Sequence, residues 1–132
     1  MSSVHDLYKH TINTLVILNG GASIAFLALY GDIFGDGVSS KFKLLFVAAE
    51  FLYFAGAVLA LLGMKNFHDG IRIWAVIWED VAIRQYSITK ARRERGDKTA
   101  QEKIERSEEC IKDALFAFIA GTICVGTGLI LF

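Results

Sequence analysis

The chain has 132 residues, one domain by length, and 54% of them are hydrophobic, above the roughly 45–50% of soluble domains. Lysine and arginine balance aspartate and glutamate, so formal net charge is zero. Whole-chain charge therefore gives no case for a nucleic-acid partner. Proline is absent, which suits long uninterrupted helices.

The apolar residues concentrate in three blocks: 11–31, 44–64 and 114–132. About 20 apolar residues at 1.5 Å each cross a ~30 Å hydrocarbon core. The expected fold is an all-α membrane protein with three transmembrane helices at these positions. In the first block the apolar run continues past Ser23 through Leu29. A secretory signal has a shorter core, ~7–15 residues, and then a cleavage site. A retained span fits better. At its middle, Asn19, Gly20, Gly21, Ala22 and Ser23 form a small, polar patch. Small residues let helix backbones approach, and Asn or Ser can hydrogen-bond across the contact. The same patch also suits the lining of an ion or proton path.

Residues 32–42 read as a loop by their Gly and Ser content, with Ser39 or Ser40 available to cap the next helix. The second block carries one acid, Glu50. Ala49, Gly56 and Gly63 recur every seven residues, with Ala60 between the last two. This stripe should accept a neighbouring helix, and Glu50 lies at its border. An acid inside a membrane is costly and marks a functional-site hypothesis by default. Ser23, Asn19 and Thr127, counted to similar depth, are its candidate partners, within or between subunits. Glu50 as structural hydrogen-bonding glue is the competing reading.

Residues 66–70 (Asn-Phe-His-Asp-Gly) read as a helix break with a bend at Gly70. The stretch 71–88 then places Trp74 and Trp78 on an apolar face and Arg72, Glu79 and Arg84 on the other. It is too short in apolar length to span. Such a helix suits the membrane interface or packing within the protein. Lys90, Arg92, Arg93, Arg95 and Lys98 follow closely. They suit anionic headgroups or serve as a topology signal. Gly96-Asp97 reads as a turn, and Thr99 with Glu102 as a capping box. The expected result is a cytoplasmic amphipathic hairpin over about 70–112, inside one integral membrane domain covering 1–132. From Ala100 a helix is expected to run into the third span, whose Gly121 and Gly128 offer a further packing face.

Eleven of the fourteen lysines and arginines lie between Lys65 and Lys112. The positive-inside rule puts that segment in the cytoplasm. The N-terminus is then inside and Phe132 outside. Each span offers a small-residue face, so a homo-oligomer is expected, closed by symmetry. Cys110 and Cys124 lie ~21 Å apart along one predicted helix, beyond disulfide reach.

The run Leu18-Asn19-Gly20-Gly21-Ala22-Ser23-Ile24-Ala25-Phe26-Leu27-Ala28 resembles the first span of a loose group of small bacterial membrane proteins. In that group a Leu-Asn-Gly-Gly-Ala opening is followed by a Phe/Gly/Ala-rich span, an amphipathic stretch and a Gly-rich last span. The resemblance implies a bacterial three-span protein, placed here in the inner membrane, and implies no activity. Some such proteins are suspected accessory or effector proteins in defence or mobile-element settings.

No HExxH, GxSxG or Walker loop is present, and His5, His10 and His68 make no metal spacing. No enzyme activity, cofactor or metal is expected. Two function classes remain, beside a weaker small-transporter reading in which Glu50 couples to protons. One is an oligomeric pore or ion-conducting assembly lined by Glu50, Asn19, Ser23 and Thr127. The other is a membrane-anchored module whose cytoplasmic part binds a protein partner or anionic lipid through Trp74, Trp78, Arg92, Arg93 and Arg95. The pore is the first expectation, because intramembrane polarity is the less ordinary feature, and the module is the alternative; the first predicts Glu50 facing a shared axis, the second predicts it facing a packed neighbour.

Overall fold

A computed structural model describes residues 2–83 and 90–131. Every element among them is helical: α1 (Ser2–Ala28), the short α2 (Tyr30–Ile33), α3 (Ser40–Ile83) and α4 (Lys90–Leu131). Three of these are long and apolar enough to cross a membrane. The chain forms two compact units: Met1–Leu61 with Ile111–Phe132, and Leu62–Cys110.

In the first unit α1 packs on the first half of α3 and the second half of α4. Its buried positions follow a seven-residue repeat. On α3 they are Phe46, Ala49, Tyr53, Gly56 and Ala60; on α4 they are Ala114, Ala117, Gly121 and Gly128. A 3-4 spacing of this kind keeps one face turned to a neighbouring helix along its length. Large residues fit against small ones. The Tyr53 ring lies on Gly121, where a Cβ would stand 2.9 Å from Cε1. The Phe42 ring covers Gly128 in the same way. Phe26 stacks on Phe46 at 4.6 Å and meets Tyr53 edge-on at 5.4 Å. Outward positions are apolar as well: Ile17, Phe51, Phe116 and Ile130 are all well exposed. That surface suits hydrocarbon and would be a liability in water.

The α1–α3 connection is short. Leu29 closes α1 by donating its N–H to the Ala25 and Phe26 carbonyls. Gly37 adopts φ +101°, a backbone region glycine enters freely. Ser39 Oγ accepts the Phe42 N–H at 3.2 Å, capping α3.

The second unit holds the end of α3 and the start of α4, and it corrects two sequence expectations. Residues 66–70 do not break the helix; α3 runs through them to Ile83. Gly70 is a contact glycine. A Cβ there would stand 2.9 Å from Ile104 Cγ1 and 3.1 Å from the Ala100 carbonyl oxygen. Gly96 is not the turn either, because α4 already begins at Lys90. Its missing side chain makes room for Ile77, whose Cγ1 would lie 3.1 Å from a Cβ. Thr99 accordingly makes a mid-helix bond to the Arg95 carbonyl at 2.9 Å instead of a cap. The connection between α3 and α4 falls at 84–89, outside the described residues.

The contacts Gly63–Ser107, Gly70–Ala100 and Ile77–Gly96 run antiparallel. With the helices joined after Ile83, the two arms match in length. Ser107 is fully buried and donates its hydroxyl to the Gly63 carbonyl at 2.7 Å. Ser107→Ala is expected to cost about 0.5–1.5 kcal/mol. Faster amide hydrogen exchange around Gly63 and Ser107 would measure it.

Candidate functional site

The polar residues of the three-helix unit gather on its inner faces. Asn19 is fully buried. Its amide nitrogen donates to the Leu15 carbonyl at 3.0 Å and, across to α4, to the Ala114 carbonyl at 3.4 Å. Its Oδ1 accepts no hydrogen bond among the described residues. The amide rests on Gly56 of α3, where a Cβ would stand 2.7 Å from Asn19 Cγ. Asn19 thus ties α1 to both other long helices at one level, and glycine at 56 is what lets it fit.

Ser23 lies one helical turn further along α1 and is also buried. Its hydroxyl donates to Glu50 Oε1 at 2.6 Å. That length is typical of a hydroxyl bonded to a carboxylate. Glu50 is half-buried. Its second oxygen, Oε2, is buried and accepts no hydrogen bond among the described residues. Glu50 therefore turns toward a packed helix of its own chain.

One turn beyond Glu50, the Tyr53 hydroxyl meets Thr122 Oγ1 at 3.1 Å. Thr122 already gives its only hydroxyl proton to the Phe118 carbonyl, at 2.9 Å. Tyr53 is therefore the donor to Thr122. Neither Tyr53 nor Thr122 was singled out by sequence pattern. Tyr53 could have been found as the position four after Ala49 in the stripe.

Comparison with protein-family models, curated proteins and solved structures returned no match.

The structure brings Asn19, Ser23 and Glu50 to one interior and leaves Thr127 elsewhere. Thr127 is exposed on α4. Depth counting assumed that the third span ends level with the start of the second. The register set by Tyr53 on Gly121 instead places Thr122 beside this turn of α3. Ala49, Gly56, Ala60, Gly63, Gly121 and Gly128 are all buried. Gly20 and Gly21 differ: a Cβ at either would meet nothing within 4 Å.

An apolar groove of about 180 Å³ lies among Phe26, Phe42, Phe46, Cys124 and Leu129. In the second unit Trp74 is half-buried and Trp78 is 60% exposed. The Arg93 guanidinium carbon sits 5.7 Å from the Trp78 ring centre, a cation–π distance. Arg92 and Arg95 are exposed near it in sequence. Among the described residues no cluster of His, Cys, Asp and Glu is arranged to hold a metal ion, and Cys110 and Cys124 are free thiols.

Proposed function

We propose that this chain is a membrane-anchored interaction module. Its three-helix unit serves as anchor, and the helix pair of the second unit presents a docking surface for a protein partner. The observation that carries this reading is the Ser23–Glu50 hydrogen bond. It turns the intramembrane acid to a packed helix of its own chain, where a pore would turn the acid to an axis shared by copies.

Helix length supports the same reading. Forty-four residues of α3 amount to about 66 Å of helix, roughly twice the hydrocarbon thickness. A large part of α3, and likewise of α4, must extend into water. The charge bias of residues 65–112 supports a cytoplasmic place for that part, with the N-terminus inside and the C-terminus outside; the bacterial inner membrane is what the resemblance of the first span implies. Arg92, Arg93 and Arg95 stand near the start of α4, some twenty residues of helix before Ala114. That separation favours a soluble acidic partner over membrane headgroups, whose pull fades within a Debye length. Gly20, Gly21 and the exposed Gly126 and Thr127 offer small-residue contacts for a homo-oligomer.

A photo-crosslinker placed at Trp78 in native membranes is expected to capture a soluble protein. Arg93→Glu should reduce that capture at least tenfold. Reconstituted liposomes should carry no voltage-driven current. The second reading, an ion-conducting assembly, draws on the unpaired Glu50 Oε2. A current that Glu50→Gln abolishes would establish it in place of the module.

A further inference from the structure

We propose that the apolar groove of the three-helix unit holds an acyl chain of one phospholipid, whose zwitterionic headgroup lies on the charged α1–α3 connection. The inference goes beyond the docking reading and uses neither Trp78 nor Arg93. It needs only that the three-helix unit spans a bilayer.

The groove lies where α1 ends, α3 begins and α4 ends. Phe26 supplies the α1 wall, Phe42 and Phe46 the α3 wall, and Cys124, Val125 and Leu129 the α4 wall. Its volume is about 180 Å³. A cavity of about 150 Å³ lined by Leu, Ile and Phe stays dry and binds benzene, so a run of about six chain carbons fits here. Among the described residues that line the groove, the only side-chain heteroatom is the Cys124 sulfur, a weak hydrogen-bonding group. Ordered water needs 2–4 polar partners and does not find them there. An empty groove would leave the Phe26 and Phe46 rings short of dispersion contacts on that side. A whole helix of a second copy, about 10 Å across, is too wide for the space. A methylene chain is narrow enough, and it is what surrounds a transmembrane unit.

The connection at this end of the unit carries both signs of charge. Asp32, Asp36 and Lys41 are exposed, and Lys43 is half-buried. The Lys43 ammonium lies over the Phe34 ring at 6.0 Å. Phe34 in turn meets Phe46, a groove wall, edge-on at 6.3 Å. A cation therefore stands two rings from the apolar lining, at the end where a headgroup would sit. A lipid phosphate would be drawn to Lys43 and Lys41, and an amine on the same headgroup to Asp32 and Asp36. A headgroup of net negative charge would meet the two acids as well as the two lysines and gain less.

The test uses the full chain in detergent micelles with defined lipids, read by native mass spectrometry. One phosphatidylethanolamine is expected to stay bound when excess detergent has stripped the rest, severalfold more than phosphatidylglycerol at equal concentration. Val125→Phe, which puts a ring into the groove, should lower that retention at least tenfold. Ile123→Phe, at an exposed position on the same turn, should leave it unchanged. Lys41→Gln combined with Lys43→Gln should lower it severalfold. Circular dichroism confirms that each variant is folded. A second readout needs no change to the groove: phosphatidylethanolamine should slow alkylation of Cys124 by N-ethylmaleimide severalfold. A cysteine introduced by Ile123→Cys, at nearly the same depth outside the groove, should be slowed much less. The proposal is overturned if no lipid is retained, if the two lipids are retained equally, or if both cysteines are slowed alike. Equal effects of Val125→Phe and Ile123→Phe would also overturn it. A lipid-free dimer that Val125→Phe dissociates would assign the groove to a side chain of a second copy instead.

Discussion

Gly56→Ala is expected to destabilise the three-helix unit by about 1–3 kcal/mol, the range for forcing extra volume into a packed interior. The added Cβ would stand 2.7 Å from Asn19 Cγ and closer still to Oδ1. Asn19 cannot simply swing aside. It is fully buried and bonded to the Leu15 and Ala114 carbonyls. Asn19→Ala alone should also destabilise, through the lost bonds and the space it leaves. The double variant should be less damaged than the two single effects added together, because the new methyl group enters the space the amide vacates. A coupling of about 0.5–3 kcal/mol is usual for residues in direct contact. Gly21→Ala is the control. Nothing stands within 4 Å of its Cβ position, so monomer stability should be unchanged or slightly raised. Denaturant unfolding in detergent micelles, followed by helical circular dichroism, would measure all four. Additive effects of Gly56→Ala and Asn19→Ala would mean that the two residues do not meet.

The fold was legible where its cause is local. Three apolar blocks near bilayer length, with no proline in the chain, point to long helices. The Ala49–Gly56–Gly63 stripe is a sequence pattern, and its members are buried. The loop before α3 and its Ser39 cap were legible, but two further breaks were read where the helices continue, because glycine has two opposite uses. At residues 66–70 and at Gly96 a glycine beside polar residues suggested a bend. In both places the absent side chain makes room for the opposite helix: Ile104 and Ala100 at Gly70, Ile77 at Gly96. A cue was present, since Gly70 extends the seven-residue spacing of Ala49, Gly56 and Gly63. On α4 the buried residues Ala100, Ser107, Ala114, Gly121 and Gly128 repeat it. A glycine in phase with such a repeat belongs to a contact, as at Gly56 and Gly70; Gly37, with φ +101°, belongs to a turn.

The site was legible in part. Glu50 stood out by cost alone, and Ser23 by its small polar surroundings. Their pairing needs only that α1 and α3 lie antiparallel after a short connection. Thr127 is exposed on α4 and takes no part in the Glu50 hydrogen bond within the chain; a depth count treats every span as starting and ending at one plane. Register between helices is set by which large side chain fits which gap. Here Tyr53 over Gly121 brings Thr122 to the acid's neighbourhood. That information is carried by pairs of residues 68 positions apart, as 53 and 121 are, and no single stretch of sequence displays it.

Gly70→Leu is expected to have the largest effect on the second unit and to separate anchoring from docking. A Cβ at position 70 would already stand 2.9 Å from Ile104 Cγ1 and 3.1 Å from the Ala100 carbonyl oxygen. The carbonyl belongs to helix backbone and cannot rotate away as a side chain does. Leucine must therefore push the two helices apart, and two neighbouring contacts feel the displacement. One is the Ser107–Gly63 bond of 2.7 Å, which tolerates little stretching. The other is Ile77 against Gly96, close in sequence to the Trp78–Arg93 pair. The expected loss is several kcal/mol, since overpacking of about 1–3 kcal/mol adds to a broken buried hydrogen bond of about 0.5–1.5 kcal/mol. Amides around Ala100 and Ser107 should exchange at least tenfold faster, while those around Asn19 and Tyr53 keep their protection. Crosslinking from position 78 should fall with the helix pair, yet the protein should remain in the membrane fraction. If exchange accelerates equally in both units, they unfold as one cooperative body and anchoring cannot be separated from docking by this route. If exchange is unchanged in the second unit, the close approach at Gly70 is not what holds its helices together.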